Sequence, residues 1–362
     1  MDEGRSFFLN DEEQELYSRQ LVLKEIGYNG QLKLKRAKAC VIGVGGLGSS
    51  VVRQLAAMGV GYIRLVDRDV VELSNLQRQH LYDTEVIGYP KAEVAADRLS
   101  RLNPYITLEP LTMSINSENA EALVRGMDVV IDGLDAMKPR YAINRACVGL
   151  GVPYVFGAAV MTYGNASAII PKETPCLECF YGNIDDSLIP TCAVVGVHPS
   201  ILGIISSVEV SEAIRILLGE DPILKGRLLH ASLEEFSMDL IDIAKREDCP
   251  VCGEKPVGEQ LILERELVEE VCGRGGKRTF IVVPREDLKL HISSLSEIFK
   301  AKGFLIEAKS RLGITSTSGK LKISLLQSGV MIAEGVEDKE ELLRIYQHII
   351  TDELGIPWSR IE

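Results

Sequence analysis

Three groups of residues in this chain have types and spacings suited to chemistry. The first is a glycine-rich turn, Gly43-Val44-Gly45-Gly46-Leu47-Gly48. It matches G-x-G-x-x-G, in which the missing side chains let backbone N–H groups approach a phosphate. Asp67 follows about twenty residues on, at the end of the next apolar run, where a carboxylate holds ribose hydroxyls. Turn and aspartate together predict an adenine nucleotide, and they leave a nicotinamide-dependent dehydrogenase and an ATP-using enzyme both open.

The second group is the run Asp67-Arg68-Asp69-Val70-Val71-Glu72-Leu73-Ser74-Asn75-Leu76-Gln77-Arg78-Gln79. It sets polar and cationic groups just past the carboxyl edge of a sheet, where a dehydrogenase has no use for them. Cleaving ATP between its α- and β-phosphates requires cations on the leaving pyrophosphate and hydrogen bonds that orient the α-phosphate for in-line attack. Arg78, Lys91 and Asn75 suit those roles; the competing reading is a solvated loop with surface charges. Asp135 ends the stretch Ile131-Asp132-Gly133-Leu134-Asp135 at the same edge, where its carboxylate would bind a Mg²⁺ bridging the phosphates. Its alternative is an N-cap for a helix starting near Pro139, at a spacing too long for that role.

The third group is the cysteines. Cys176-Leu177-Glu178-Cys179 and Cys249-Pro250-Val251-Cys252 form two Cys-x-x-Cys pairs, and four thiolates suffice for a closed tetrahedral Zn²⁺. The pairs lie far apart along the chain, so the metal would staple two distant segments, and a closed site leaves no position for substrate. Cys192, in Ile189-Pro190-Thr191-Cys192, reads either as inert apolar packing or as a nucleophile that accepts an activated acyl group or carries a persulfide.

The elements that must position these residues alternate. Ala39 to Ile42 is a short apolar strand, Ser49 to Met58 a helix, and Tyr62 to Asp67 a second strand, which together make a βαβ unit. A helix over Pro90 to Leu102, strands near Ile106 to Pro110 and over Val129 to Asp132, a helix over Arg140 to Leu150 and a strand at Tyr154 to Phe156 continue the pattern. Residues 11 to 26 read as one helix and Glu209 to Leu218 as another. The predicted fold class is α/β: a doubly wound, mostly parallel Rossmann-like sheet with helices on both faces. Periodic structure lapses into turn residues at Gly253 to Gly258, which suggests a unit over 1–258 and a small α+β domain over 259–362. The second is expected to hold strands at Thr279 to Val283, Leu305 to Lys309, Leu321 to Leu326 and Val330 to Ala333, with helices at Ser293 to Ala301 and Lys339 to Ile350.

Composition narrows the classes further. The 362 residues are 46% hydrophobic with a formal net charge of −12, which argues against nucleic acid and anionic membrane as partners, since both demand clustered Lys and Arg. The stretch Ser187 to Val208 carries no charged residue, but Pro190, Gly196, Pro199 and Gly203 break it, which favours a buried loop and helix over a membrane span. The acidic opening, MDEGRSFFLNDEEQELYSRQ, lacks the basic and apolar regions of a secretory signal. The expected compartment is the cytoplasm, where two Cys-x-x-Cys pairs read as metal before disulfide.

Tyr17-Ser18-Arg19-Gln20, the glycine turn, the Asp67 to Gln79 run, Lys91, Asp135, the two Cys-x-x-Cys pairs and Pro190-Thr191-Cys192 together resemble one family over residues 11 to 252. It is the ThiF/MoeB/HesA family, relatives of the adenylation domain of ubiquitin-activating E1 enzymes. The resemblance implies MgATP-dependent activation of the C-terminal carboxylate of a small ubiquitin-like or sulfur-carrier protein ending in Gly-Gly, giving an acyl-adenylate and pyrophosphate. It implies a homodimer in which Arg19 reaches the partner's nucleotide. Gly43, Gly45, Gly46 and Gly48 would cradle phosphate and Asp67 the ribose. Ser74, Asn75, Arg78, Gln79 and Lys91 would hold the triphosphate, Asp135 the Mg²⁺, and Cys192 would be a thioester or persulfide cysteine.

Two features depart from the family pattern. Many members carry Asn after the metal-binding aspartate, where this chain has Ala136, although Arg140 and Asn144 keep their spacing. The extension over 259–362 shows no cysteine-bearing sulfurtransferase loop, its only cysteine being Cys272, and is expected to dock the carrier or a downstream transferase. A non-catalytic E1-like scaffold and an NAD(P)-dependent oxidoreductase stand as alternatives; the first would be expected to lack Arg78, Lys91 or Asp135.

Overall fold

The computed structural model describes residues 8–184, 186, 195–257, 263, 265–272 and 278–362. Strands β1 (Lys38–Ile42), β2 (Tyr62–Val66), β3 (Thr107–Leu111), β4 (Val129–Asp132) and β5 (Tyr154–Val160) pair in parallel in the order β3-β2-β1-β4-β5. The central runs, Ala-Cys-Val-Ile in β1 and Val-Val-Ile-Asp in β4, are buried on both faces, the burial that continuous apolar strands are suited to. Helices α4 (Gly48–Ala57) and α5 (Lys91–Leu102) connect β1 to β2 and β2 to β3, while α6 (Ala120–Val124) precedes β4 and α7 (Met137–Leu150) connects β4 to β5. The chain leaves β1 toward β2 on one side and has β4 on the other. That reversal opens a crevice at the carboxyl ends of β1 and β4, the place where such sheets bind ligands.

The sheet continues past β5 with β6 (Tyr163–Ile169), β7 (Arg227–Ser232) and β8 (Ser237–Asp242), all antiparallel. Sequence periodicity did not predict these three strands. β6 is Tyr-Gly-Asn-Ala-Ser-Ala-Ile, rich in small residues because, past the short helix α8 (Leu177–Phe180), the helix α9 (Pro199–Leu218) lies directly on it: a Cβ on Gly164 would come within 2.4 Å of Ile205. At the N-terminus, the single helix expected over 11–26 is two short ones, α1 (Asp11–Leu16) and α2 (Ser18–Leu21), and a third, α3 (Gly27–Arg36), begins just past that span. Gly27, at φ +57°, turns the chain into the third. No helix among the described residues is long and apolar enough to cross a membrane; α9, inside the charge-poor region, carries Glu209, Glu212 and Arg215.

Residues past 265 form a second sheet with the antiparallel order β11-β12-β13-β14-β10-β9: β9 (Val268–Cys272), β10 (Arg278–Val282), β11 (Leu305–Lys309), β12 (Gly313–Ser318), β13 (Leu321–Leu326) and β14 (Met331–Glu334). Its core of Phe280, Leu295, Phe299, Leu325, Met331 and Tyr346 takes in helices α10 (Ile292–Ala301) and α11 (Lys339–Gln347). β12 is Gly-Ile-Thr-Ser-Thr-Ser, a polar run that carries no strand periodicity. It is nonetheless buried at Thr315, because that face of the strand lies against Gly88 and Pro90 of the first sheet's unit.

Candidate active site

The glycine turn is held by the loop that follows β4. Gly43 has φ +85°, and a Cβ there would stand 2.5 Å from the Gly133 carbonyl oxygen; a Cβ on Gly48 would stand 1.8 Å from the Gly43 carbonyl oxygen. These two glycines serve close backbone packing. A Cβ on Gly46 would stand 3.0 Å from Leu202 of α9, whereas a Cβ on Gly45 would meet nothing nearer than Nε2 of Gln79, at 3.7 Å. The open side of the turn therefore faces Gln79, which is 3% exposed and whose Oε1 has no hydrogen-bond partner among the described residues. A buried amide oxygen without a partner costs free energy unless a ligand or water completes it, so this flank of the turn suits a polar group bound against Gly45.

Asp67, directly after β2, accepts from the Val44 N–H at 2.6 Å and the Asp69 N–H at 2.7 Å, tying the aspartate loop to the glycine turn. Burial pushes its carboxyl up to about 6, against the pull of Lys91 and these two N–H bonds. Lys91 opens α5 and pairs its Nζ with Asp69 at 2.9 Å. Burial opposes its charge, but Asp69 and Asp67 more than offset this and hold the ammonium above its usual range. Asp69 itself is held low, the pull of Lys91 and Arg68 outweighing burial. The site thus contains a buried cation that stays charged at neutral pH, beside a carboxylate 45% exposed.

Leu73–Asn75 is a short 3₁₀ turn in which Asn75 Oδ1 accepts from the Glu72 N–H. Gln79 N–H donates to the Asn75 carbonyl, and Arg78 Nη1 donates to the Ser74 carbonyl at 3.0 Å. Gly43 to Gly48, Asp67, Gln79 and Lys91 are joined by direct contacts, and Ser74, Asn75 and Arg78 share the turn that carries Gln79. Asp135 lies exposed after β4, within electrostatic reach of Arg68 and Arg140. It does not cap α7: that helix starts at Met137, and the Met137 and Lys138 N–H groups donate to the Asp186 carboxylate at 2.6 and 2.9 Å. Sequence reading missed Asp186, whose partners are separated from it by α7, β5 and β6.

Arg19, on α2, is exposed. Its neighbour Gln20 donates to the Met58 carbonyl, and Tyr17 packs under Gly59, both at the far end of α4 from the glycine turn. With α4 roughly 15 Å long at 1.5 Å per residue, Arg19 stands apart from its own chain's turn. Cys192 lies outside the described residues.

Behind the site, Asp132 at the end of β4 is fully buried. It accepts from Arg140 Nε at 2.9 Å, Tyr154 Oη at 2.6 Å and the Leu134 N–H at 2.8 Å. Arg140 Nη2 donates to the carbonyls of Leu134 and Gly157. Asn144 accepts from the Leu177 N–H through Oδ1, and Glu178 pairs with Arg145 at 2.9 Å. Arg140 and Asn144 are thus occupied in holding β4, β5 and the first Cys-x-x-Cys segment. Glu209 of α9 is buried against Gly157, with neither carboxyl oxygen bonded among the described residues, and burial pushes it well above the carboxylate range.

The Sγ atoms of Cys176, Cys179, Cys249 and Cys252 all lie within 4.8 Å of one another. Cys176 and Cys249 are 3.7 Å apart, far from the ~2.05 Å of a disulfide and near the about 3.8 Å edge expected of thiolates around a tetrahedral zinc. Two chain segments distant in sequence are therefore arranged as a four-sulfur metal site. Cys40 and Cys147 are buried in the core, and burial pushes the Cys40 thiol up to about 12, which leaves it protonated and inert.

Residues 17–251 match the model of the ThiF family. The chain is 39% identical over 271 residues to the sulfur carrier protein adenylyltransferase of Thermus thermophilus, covering 72% of this chain and 97% of that protein. It is 31% identical over 335 residues to the sulfur carrier protein ThiS adenylyltransferase of Bacillus subtilis, covering 91% of this chain and 97% of that protein. The second alignment is too long to stop at the first sheet's unit and extends well into the residues after 258. Among solved structures, E. coli MccB with ATP superposes with a TM-score of 0.60 at 25% identity, covering 67% of this chain and 75% of that one. The pairing of a family model over most of the chain with this glycine turn, aspartate and lysine at one switch point leads to one conclusion: the chain belongs to the ThiF family.

Proposed function

We propose that this protein is a MgATP-dependent adenylyltransferase that activates the C-terminal glycine carboxylate of a small sulfur-carrier or ubiquitin-like protein. The observation that carries the reading is the Asp67–Asp69–Lys91 cluster, which holds a buried, charged ammonium and is bonded through Asp67 to Val44 of the glycine turn, whose Gly45 flank faces a Gln79 oxygen without a partner among the described residues. The adenylyltransferases similar to this chain over most of their length support it.

In this reading Asp67 holds the ribose hydroxyls. Gly45 and Gln79 receive a phosphate, with Asn75 and Ser74 in the adjoining turn. Lys91 and Arg78 take charge from the leaving pyrophosphate. A carboxylate oxygen of the carrier forms a bond to the α-phosphorus while the bond from that phosphorus to the bridging oxygen breaks, so pyrophosphate leaves with the electron pair. Asp135 is the residue suited to hold Mg²⁺, which when bound would neutralise phosphate charge. Arg19, set apart from its own turn, would complete the site of a second copy in a homodimer. Residues 1–258 form the adenylation unit and 259–362 a second α+β domain. Cys192 would take the acyl group from the adenylate as a thioester, releasing AMP, or carry as a persulfide the outer sulfur of a donor persulfide, which leaves as a thiol.

Pyrophosphate exchange into ATP tests the central claim. Exchange should require a carrier with an intact Gly-Gly terminus and vanish when the terminal glycine is removed; exchange indifferent to the carrier would refute it. For the four cysteines we infer zinc. Metal analysis should find one zinc per chain, lost from a Cys249→Ser variant, and a metal-free native protein would refute that assignment.

A further inference from the structure

The segment after β2 is extended and alternates its side chains as a strand does. Asp67 and Asp69 point to the glycine turn and Lys91. Arg68 and Val70 point the other way, into the second sheet. Val70 is buried with Ile281, Val283, Leu326, Val330 and Ile332, and Arg68 Nη1 bonds Glu269 of β9 at 2.6 Å. The segment that leads into α5 is gripped from the same side. Thr315 Oγ1 of β12 donates to the Gly88 carbonyl at 2.6 Å, and Gly313 has no room for a Cβ, which would sit 2.6 Å from Pro90. The two segments are also tied to each other, by the Val70–Pro90 bridge and the bond from the Lys91 N–H to the Asp69 carbonyl at 2.9 Å.

Glu93 completes the grip. It stands in the first turn of α5, two residues after Lys91, and is 4% exposed. Its carboxylate accepts from the Arg311 N–H at 3.0 Å, the Leu312 N–H at 2.9 Å and Arg311 Nε at 3.2 Å, all from the turn between β11 and β12. A surface ion pair alone would contribute little. A buried carboxylate with two backbone donors is different, because charge-assisted bonds of this kind fix geometry and their loss leaves donors unpaired.

We propose that Glu93 is a positioning residue of the adenylation site, through which the β11–β12 turn sets the place of Lys91 against Asp69, so that the second sheet is a working part of the nucleotide site. This rests on the reading of Lys91 as a phosphate ligand. It goes beyond the expectation that the C-terminal residues dock a carrier or transferase: removing them would strip Val70 and Glu93 of their partners and disturb nucleotide binding itself.

The test uses the full-length protein and a non-hydrolysable ATP analogue with Mg²⁺, followed by carrier-dependent pyrophosphate exchange. Glu93→Gln should weaken analogue binding and raise the KM for ATP about tenfold while the KM for the carrier stays unchanged, and Glu93→Asp should recover part of the loss. Thr315→Val, remote from any phosphate, should show the same split at a smaller size, about threefold. A purely structural contact would instead lower the melting temperature of both variants and leave the KM of the folded enzyme at the wild-type value, which overturns the proposal. If Glu93→Gln does not fold, Thr315→Val decides alone by the same criterion. A wild-type protein that binds no nucleotide would overturn the adenylyltransferase reading, and this inference with it.

Discussion

Two carboxylate–cation pairs stand at the carboxyl ends of the strands flanking β1, and they are built differently. At the end of β4, Asp132 and Arg140 are closed: the buried carboxylate accepts from Arg140, Tyr154 and the Leu134 N–H, and the guanidinium reaches two carbonyls besides. At the end of β2, Lys91 and Asp69 are open: among the described residues the ammonium has one carboxylate oxygen, that carboxylate is 45% exposed, and the Gln79 oxygen on the flank of the glycine turn lacks a partner. A satisfied buried pair holds the frame. An unsatisfied one at a switch point retains bonding capacity for a ligand, which is the physical signature of a binding site.

Mutation should separate the two pairs. Arg140→Ala leaves Asp132 buried without its cation and should destabilise the protein by about 3–5 kcal/mol, read from the midpoint of denaturant unfolding. Nucleotide affinity of the folded fraction should change little. Lys91→Ala should do the reverse, lowering carrier-dependent pyrophosphate exchange by about 10²–10³-fold with a small change in melting temperature, because Asp69 is left with access to water. If Arg140→Ala were stable but inactive, or Lys91→Ala unfolded, the distinction between closed and open pairs would fail.

The same comparison explains what could be read in advance. Gly43 to Gly48, Asp67, Lys91 and the run through Gln79 stand out because a phosphate-binding turn needs particular residue types at short spacings, and the parallel strands around them are continuous apolar runs. Asp132 and Arg140 were visible as letters but not as a closed pair, since Tyr154 and the Gly157 carbonyl come from β5. Asp186 and Glu93 carry no local signal, for their partners are separated from them by whole elements. The strands β6 and β12 were missed for a related reason: their small or polar residues fit against α9 and residues 88–93, and periodicity records burial against water, not against a particular neighbour.

Residue types and local spacing alone set the chemistry on offer: a glycine turn for phosphate, a carboxylate for ribose, cations beside them and four cysteines of the type that ligates a metal. Folding added the rest: the four sulfurs converge, Arg140 and Asn144 are occupied as frame, Asp186 rather than Asp135 caps α7, and the second sheet grips both segments bearing Asp69 and Lys91. Each of these depends on contacts between elements distant along the chain, and such contacts exist only once the cores of both sheets have closed around them.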